Sequence, residues 1–314
     1  RAHLASGAAF SGSLKRLFPP PPMFYQITAL FIWSSAFVAA KYTYGMMDAV
    51  MMVQMRLVIS ALVVLPVCRR YLGRIPRHSW KPLVLLSFLN YIGVLMFQFV
   101  GLKYTSAASA ITVIGLEPLI TAFIGHFFFR DPARWYHWLC GLLAFTGVGL
   151  MIAGGSEGGG DITWYGCLLV LLGGVVFCAT LRPTRKLIDD IGAPAYTSVS
   201  LALAALLCLP FTLLLAQDYA IRWSGSGTLS LLYLGIGAGW LAYLLWNRGM
   251  KQVSANTSGL LLPLEPVFGV ILAVLLLGEQ ISALSWSGVL LVMLSTAAAI
   301  LLSEMAKRKR TKAA

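Results

Sequence analysis

Apolar residues run along this chain in long continuous blocks, separated by short polar, glycine- or proline-containing breaks. A helix needs about 20 apolar residues to cross the hydrocarbon core of a bilayer. Ten blocks have that length: residues 24–44, 48–68, 82–105, 106–129, 135–154, 164–187, 194–216, 228–253, 254–277 and 284–306. The pattern predicts ten transmembrane helices. Strands of a membrane barrel alternate lipid-facing and lumen-facing side chains, so continuous blocks exclude that architecture. Connectors as short as residues 45–47, and the junctions at Thr105/Ser106 and Val253/Ser254, force neighbouring spans into antiparallel hairpins.

Composition supports the pattern. The chain of 314 residues is 59% hydrophobic and 11% charged, against about 45–50% and about 25% in soluble proteins. That balance excludes a disordered chain, a secreted disulfide scaffold and an ordinary cytosolic enzyme. The five cysteines, Cys68, Cys140, Cys167, Cys178 and Cys208, sit singly in or beside apolar blocks without metal-ligand spacing, and read as small buried hydrophobes. A net charge of +13 in a soluble protein would point to nucleic acid. Here the positions of the basic residues argue otherwise. With the N-terminus inside, twenty of the 24 Lys and Arg fall on inner segments, leaving Lys41, Arg56, Lys103 and Arg222. This split predicts ten spans with both termini cytoplasmic, in a multi-pass protein of the cytoplasmic (inner) membrane. Residues 1–22 read as a disordered or mis-called N-terminal tail, and 307–314 as a basic cytoplasmic tail.

The chain also repeats itself. At an offset of 148, Gly101-Leu102-Lys103-Tyr104-Thr105-Ser106-Ala107 aligns with Gly249-Met250-Lys251-Gln252-Val253-Ser254-Ala255, and Leu116-Glu117-Pro118 with Leu264-Glu265-Pro266. Asp131 falls on Glu279. Each half then holds five spans, residues 23–154 and 164–306, joined by a glycine-rich linker at 155–163. An odd number of spans inverts the second half relative to the first. Inverted repeats build transporters whose midplane site is exposed alternately to the two sides.

These stretches resemble the drug/metabolite transporter superfamily and its EamA-type members. The resemblance is carried by Leu30-Phe31-Ile32-Trp33-Ser34-Ser35-Ala36-Phe37-Val38, by the Gly101 block, by Leu264-Glu265-Pro266-Val267 with Leu277-Gly278-Glu279, and by Leu244-Leu245-Trp246-Asn247-Arg248. It implies an all-α membrane protein, ten transmembrane helices as a 5+5 inverted repeat around a central cavity, moving small metabolites or drugs, most often outward. The chain departs from the usual pattern by a glutamate in the first-half motif and by Asp131 where Gly-Glu is common.

Glu117 and Glu265 each lie 11 residues after the serine that opens their span, about 16 Å along a helix and near the midplane. An acid at that depth costs several kcal/mol and belongs in the bundle interior or a water-filled cavity. Pro118 and Pro266 free the carbonyls of Ile114 and Leu262, and Pro263 frees that of Gly259. Two readings stand. Either the acids bind a cationic group or carry a coupling proton, or each remains protonated and ties helices together. Asn90, Tyr91 and Gln98 share a spacing of seven to eight residues in the third span, and Trp240, Tyr243 and Asn247 one of three and four in the eighth. Such faces fit a cavity that stacks on flat or apolar groups, though packing explains the aromatics too. Trp33 is either a packing or a cavity residue. Arg56, about 12 Å from the outer end of its span, either contacts an anion or snorkels outward. Lys41 is expected to snorkel, His126 to pack as a neutral side chain rather than bind metal, and Asp131 and Glu279 to cap helix ends or meet nearby cations. Gly235, Gly237, Gly239, Gly173 and Gly174 are expected to let helices approach closely.

No nucleophile, base and orienter recur together, so an enzyme is not expected. The sequence therefore predicts a secondary transporter, exporting a small amphipathic metabolite or drug by alternating access, with protons as a candidate coupling ion. The expected partners are a small-molecule substrate and membrane lipids, without nucleic acid, metal or cofactor. The competing readings are an uncoupled facilitator of a metabolite such as an amino acid and a membrane enzyme acting on a lipid-linked substrate.

Overall fold

The computed structural model describes residues 22–128, 133–154, 163–252, 261–262 and 264–313. The N-terminal stretch 1–21, the glycine-rich 155–162, Asp131, Gly259 and Pro263 lie outside them. Among the described residues there are ten helices: α1 (Pro22–Tyr44), α2 (Ala49–Leu72), α3 (Arg77–Lys103), α4 (Ala107–Phe128), α5 (Trp135–Gly154), α6 (Trp164–Ile191), α7 (Ala193–Leu215), α8 (Gly225–Lys251), α9 (Leu264–Leu277) and α10 (Ala283–Ala313). Eight are long and apolar enough to cross a membrane. The other two are α1, whose 23 residues include Gln26 and Lys41, and α9, with 14 described residues.

Helix starts follow from local chemistry. Asp48, Ser106, Thr163 and Ser224 each stand before a helix with a side-chain oxygen accepting an early backbone N–H, from Val50 (2.9 Å), Ser109 (3.0 Å), Gly166 (3.1 Å) and Gly227 (3.1 Å). Between α6 and α7 the chain reverses at Gly192, whose φ of 86° suits only glycine, with Pro194 in the first turn of α7.

The helices pair across the middle of the chain. α2 packs on α7, α4 on α9 and α5 on α10, while α1 lies against α8 and α9 and α6 against α3 and α4. Large apolar side chains such as Leu142 and Leu294 face outward, as lipid contact requires. Close approach is bought by glycine at Gly101, where a Cβ would stand 2.8 Å from the Gly166 carbonyl of α6, and at Gly173, 2.7 Å from the Gln98 side chain of α3. Two helices carry a π turn, α3 at Phe88–Gly93 and α8 at Leu234–Leu241. The sequence offset of 148 that aligns the halves superposes these turns. A π turn inserts a residue into the helical spiral, so side chains on its two sides no longer share one face.

Candidate functional site

α4 and α9 cross at their irregular points. α4 is interrupted at Gly115 and Leu116, just before Glu117, and Glu265 lies in the first turn of α9. At the crossing a Cβ on Gly115 would meet the Pro266 ring at 3.2 Å. The loosened backbone is taken up locally. The Leu262 carbonyl, expected to be free, accepts from the N–H of Glu265 at 3.1 Å, and Thr296 of α10 donates its hydroxyl to the Gly115 carbonyl at 3.0 Å. Ser34 of α1 shares its hydroxyl between the Leu30 carbonyl of its own helix at 2.7 Å and the backbone carbonyl of Glu265 at 2.8 Å, and Cys178 of α6 donates its weaker S–H to that of Glu117 at 3.4 Å. Both glutamates are buried, 3% and 6% exposed, and their side chains line one central cavity of about 40 Å³.

Six of the expected residues meet there: Trp33, Arg56, Gln98, Glu117, Tyr243 and Glu265. Trp33 donates its indole N–H to the Ala238 carbonyl in the π turn of α8 at 3.2 Å and lies edge-on to Tyr243, with ring centroids 4.9 Å apart. Gln98 is held beside the cavity by the bare backbone of Gly173. Arg56 does not snorkel: it is 1% exposed, with its guanidinium carbon 4.7 Å from the centre of the Phe99 ring. Phe99 in turn stacks on Phe37 at 5.3 Å.

The other four stand off the cavity. Asn90 is fully engaged, donating to Thr184 (2.9 Å) and Tyr196 (3.0 Å) and accepting from Thr180 (2.6 Å), so it joins α3 to α6 and α7. The π turn explains why Asn90 and Gln98 part company despite their spacing. Tyr91 lies behind Tyr243, with ring centroids 4.6 Å apart. Asn247 donates to Thr197 of α7 at 2.8 Å, and Trp240 packs part-buried against the central apolar cluster.

The charged residues near the helix ends also find definite partners. Lys41 was expected to snorkel but donates to the Leu102 and Thr105 carbonyls at 3.0 and 2.5 Å, closing the C-terminal end of α3. Glu279 caps a helix as expected, though one distant in sequence: its carboxylate accepts the N–H groups of Ala107 and Ala108 at 2.8 and 3.0 Å, at the start of α4. His126 accepts the Ala133 N–H on Nδ1 at 3.1 Å. Gly235 receives the Ser60 hydroxyl of α2 on its carbonyl at 2.6 Å.

Phe37, Phe99 and Phe177 line the cavity too and were missed in the sequence. A signal for Phe177 existed. An offset of 144, the one that sets Arg56 on Ser200, sets Trp33-Ser34 on Phe177-Cys178. These pairs do corresponding jobs, an aromatic on the cavity and a donor to a glutamate carbonyl.

A model of the EamA-like transporter family matches residues 21–153 and again 164–301. The chain belongs to this family. An uncharacterized transporter of Haemophilus influenzae is 49% identical over 142 residues, 45% of this chain and 84% of that protein. The uncharacterized transporter YyaM of Bacillus subtilis is 26% identical over 272 residues, covering 83% of this chain and 87% of its own. A biotin transporter of Salmonella typhimurium is 24% identical over 246 residues, 75% of this chain and 78% of its own. A solved crystal structure shares the fold at 21% identity with a TM-score of 0.63, covering 91% of this chain and 98% of that one. As an EamA-like transporter, the protein is a multi-pass integral membrane protein of transport, and its family and relatives point away from enzymes.

Proposed function

We propose that this EamA-like transporter moves a small amphipathic solute by alternating access through the cavity that holds Glu117 and Glu265, exporting it across the cytoplasmic membrane in exchange for protons. The observation that carries the proposal is the meeting of two acids, offset by 148 residues in the chain, on one cavity lined by residues of α1, α2, α3, α4, α6, α8 and α9. We read the ten helices as ten spans in a 5+5 inverted repeat, with the halves at 23–154 and 164–306 and both termini cytoplasmic. Exchanging the halves maps the α1 contact with α8 onto that of α6 with α3, and the α1 contact with α9 onto that of α6 with α4, while α2–α7, α4–α9 and α5–α10 map onto themselves. Such a packing plan has two mirror arrangements of nearly equal energy, which alternation requires.

Trp33, Tyr243 and Phe177 give the cavity flat apolar walls, Gln98 a hydrogen-bonding amide, and Glu117 and Glu265 the groups that take up and release protons. The cavity has room for about three water molecules, so helices must part for cargo to enter. The test has two stages. A deletion strain is screened for altered uptake and efflux of amino acids, purines, cationic dyes and, prompted by the Salmonella relative, biotin. The responding solute is then followed in proteoliposomes with and without an imposed proton gradient. Proton coupling requires flux to rise with the gradient and to vanish with Glu265→Gln; flux that ignores both makes the protein a facilitator, with the acids acting as structure.

A further inference from the structure

Arg56 is the anomaly of the cavity. Its Nε and Nη1 have no hydrogen-bond partner although the side chain is 1% exposed. Among the described residues the ion pairs are His78 with Asp190 and Lys103 with Asp48, so no carboxylate neutralises it at ion-pair distance. Its guanidinium carbon lies over the face of Phe99, which attracts a cation without using its N–H groups. Leaving a buried guanidinium unpaired is costly, and folds retain such a group where a ligand completes it. The matching position on α7 is Ser200, which donates back to the Tyr196 carbonyl of its own helix at 2.5 Å. Positive charge therefore enters the cavity from the α2 side alone.

We propose that Arg56 is the docking point for the carboxylate of the cargo, and that this transporter's substrates are small monocarboxylates with a flat or apolar body. The inference rests on the cavity being the transport site. One guanidinium offers planar, paired N–H groups matched to a carboxylate. With two acidic side chains on the same cavity, a single negative charge is the most that Arg56 can compensate, which disfavours phosphates and dicarboxylates. The apolar body then lies against Trp33, Tyr243 and Phe177.

The test is a matched set of three probes on the purified full-length chain: phenylacetate, its neutral amide phenylacetamide, and the cation phenethylamine. Binding is read as the shift of the thermal midpoint with probe concentration. Phenylacetate is expected to bind at least about thirtyfold more tightly than the other two, the loss expected when a buried charged partner is removed. Arg56→Gln should abolish this preference while melting no lower than the parent, because it removes an unpaired buried charge. Arg56→Lys should bind phenylacetate with intermediate affinity. Equal binding of acid and amide, an unchanged preference in Arg56→Gln, or no binding by any probe overturns the proposal; if Arg56→Gln does not fold, Arg56→Lys binding as tightly as the parent does so. Selective binding of phenethylamine, lost in Glu265→Gln, overturns the anion assignment and leaves the transport site standing. The transport site itself falls if flux of the responding solute survives Gln at both acids.

Discussion

Around Glu117 and around Glu265 the chain builds nearly the same surroundings twice. Each acid precedes a proline on a helix loosened near that point, and each has its backbone carbonyl held by a side chain from the helix that opens the other half, Cys178 for one and Ser34 for the other. Each faces the cavity beside an aromatic of that same helix, Phe177 or Trp33. What differs is the flank: α2 contributes a cation, α7 a serine turned back on its own helix. In the proposed mechanism the shared surroundings let two arrangements interconvert at low cost, and the unshared cation makes the two flanks of the cavity unequal.

Several substitutions would break or sharpen this comparison. The largest effect is expected at the acids. Under the proposed proton exchange, Glu117→Gln and Glu265→Gln should each lower flux of the responding solute by about tenfold or more, since a proton-carrying group has no substitute; a strong loss in only one would show the halves to be unequal at their most similar point. Next comes the helix contact outside the cavity. Gly101→Val drives a side chain into the Gly166 carbonyl and should cost about 1–3 kcal/mol, read as a lower thermal midpoint in detergent. Removing the carboxylate that caps α4, with Glu279→Ala, should cost about 1 kcal/mol by the same measurement. The smallest and most discriminating pair is Ser34→Ala and Cys178→Ala. A hydroxyl is the stronger donor, so Ser34→Ala should cost about 1 kcal/mol and Cys178→Ala less. Equal losses would mean that packing, not hydrogen bonding, distinguishes the two sides.

Much of this could be read from the residues in order. Blocks of apolar side chain locate the helices because lipid imposes a fixed length on them, and the recurrence of Leu-Glu-Pro singles out both cavity acids. Facing directions were harder. Asn90 and Gln98 are spaced as one helical face, yet the π turn between them sends Asn90 to α6 and α7, and nothing in Phe88-Leu89-Asn90-Tyr91 announces that turn. Lys41 and Glu279 both close the ends of helices distant in the chain, and sequence spacing reveals only local partners. Arg56 stood open between snorkelling and cavity, a choice set by which face of α2 meets α3, and that is a property of the packed bundle.

The carboxylate of Glu279 has a consequence for timing. It sits just beyond α9 and grips the first amides of α4, so the two acid-bearing helices are fastened where α9 ends and α4 begins, as well as touching where Gly115 meets Pro266. Parting the helices at that end must first release two charge-assisted bonds. In the proposed alternation, a clasp outside the cavity then governs how long that end stays shut, and the two half-cycles run on different clocks.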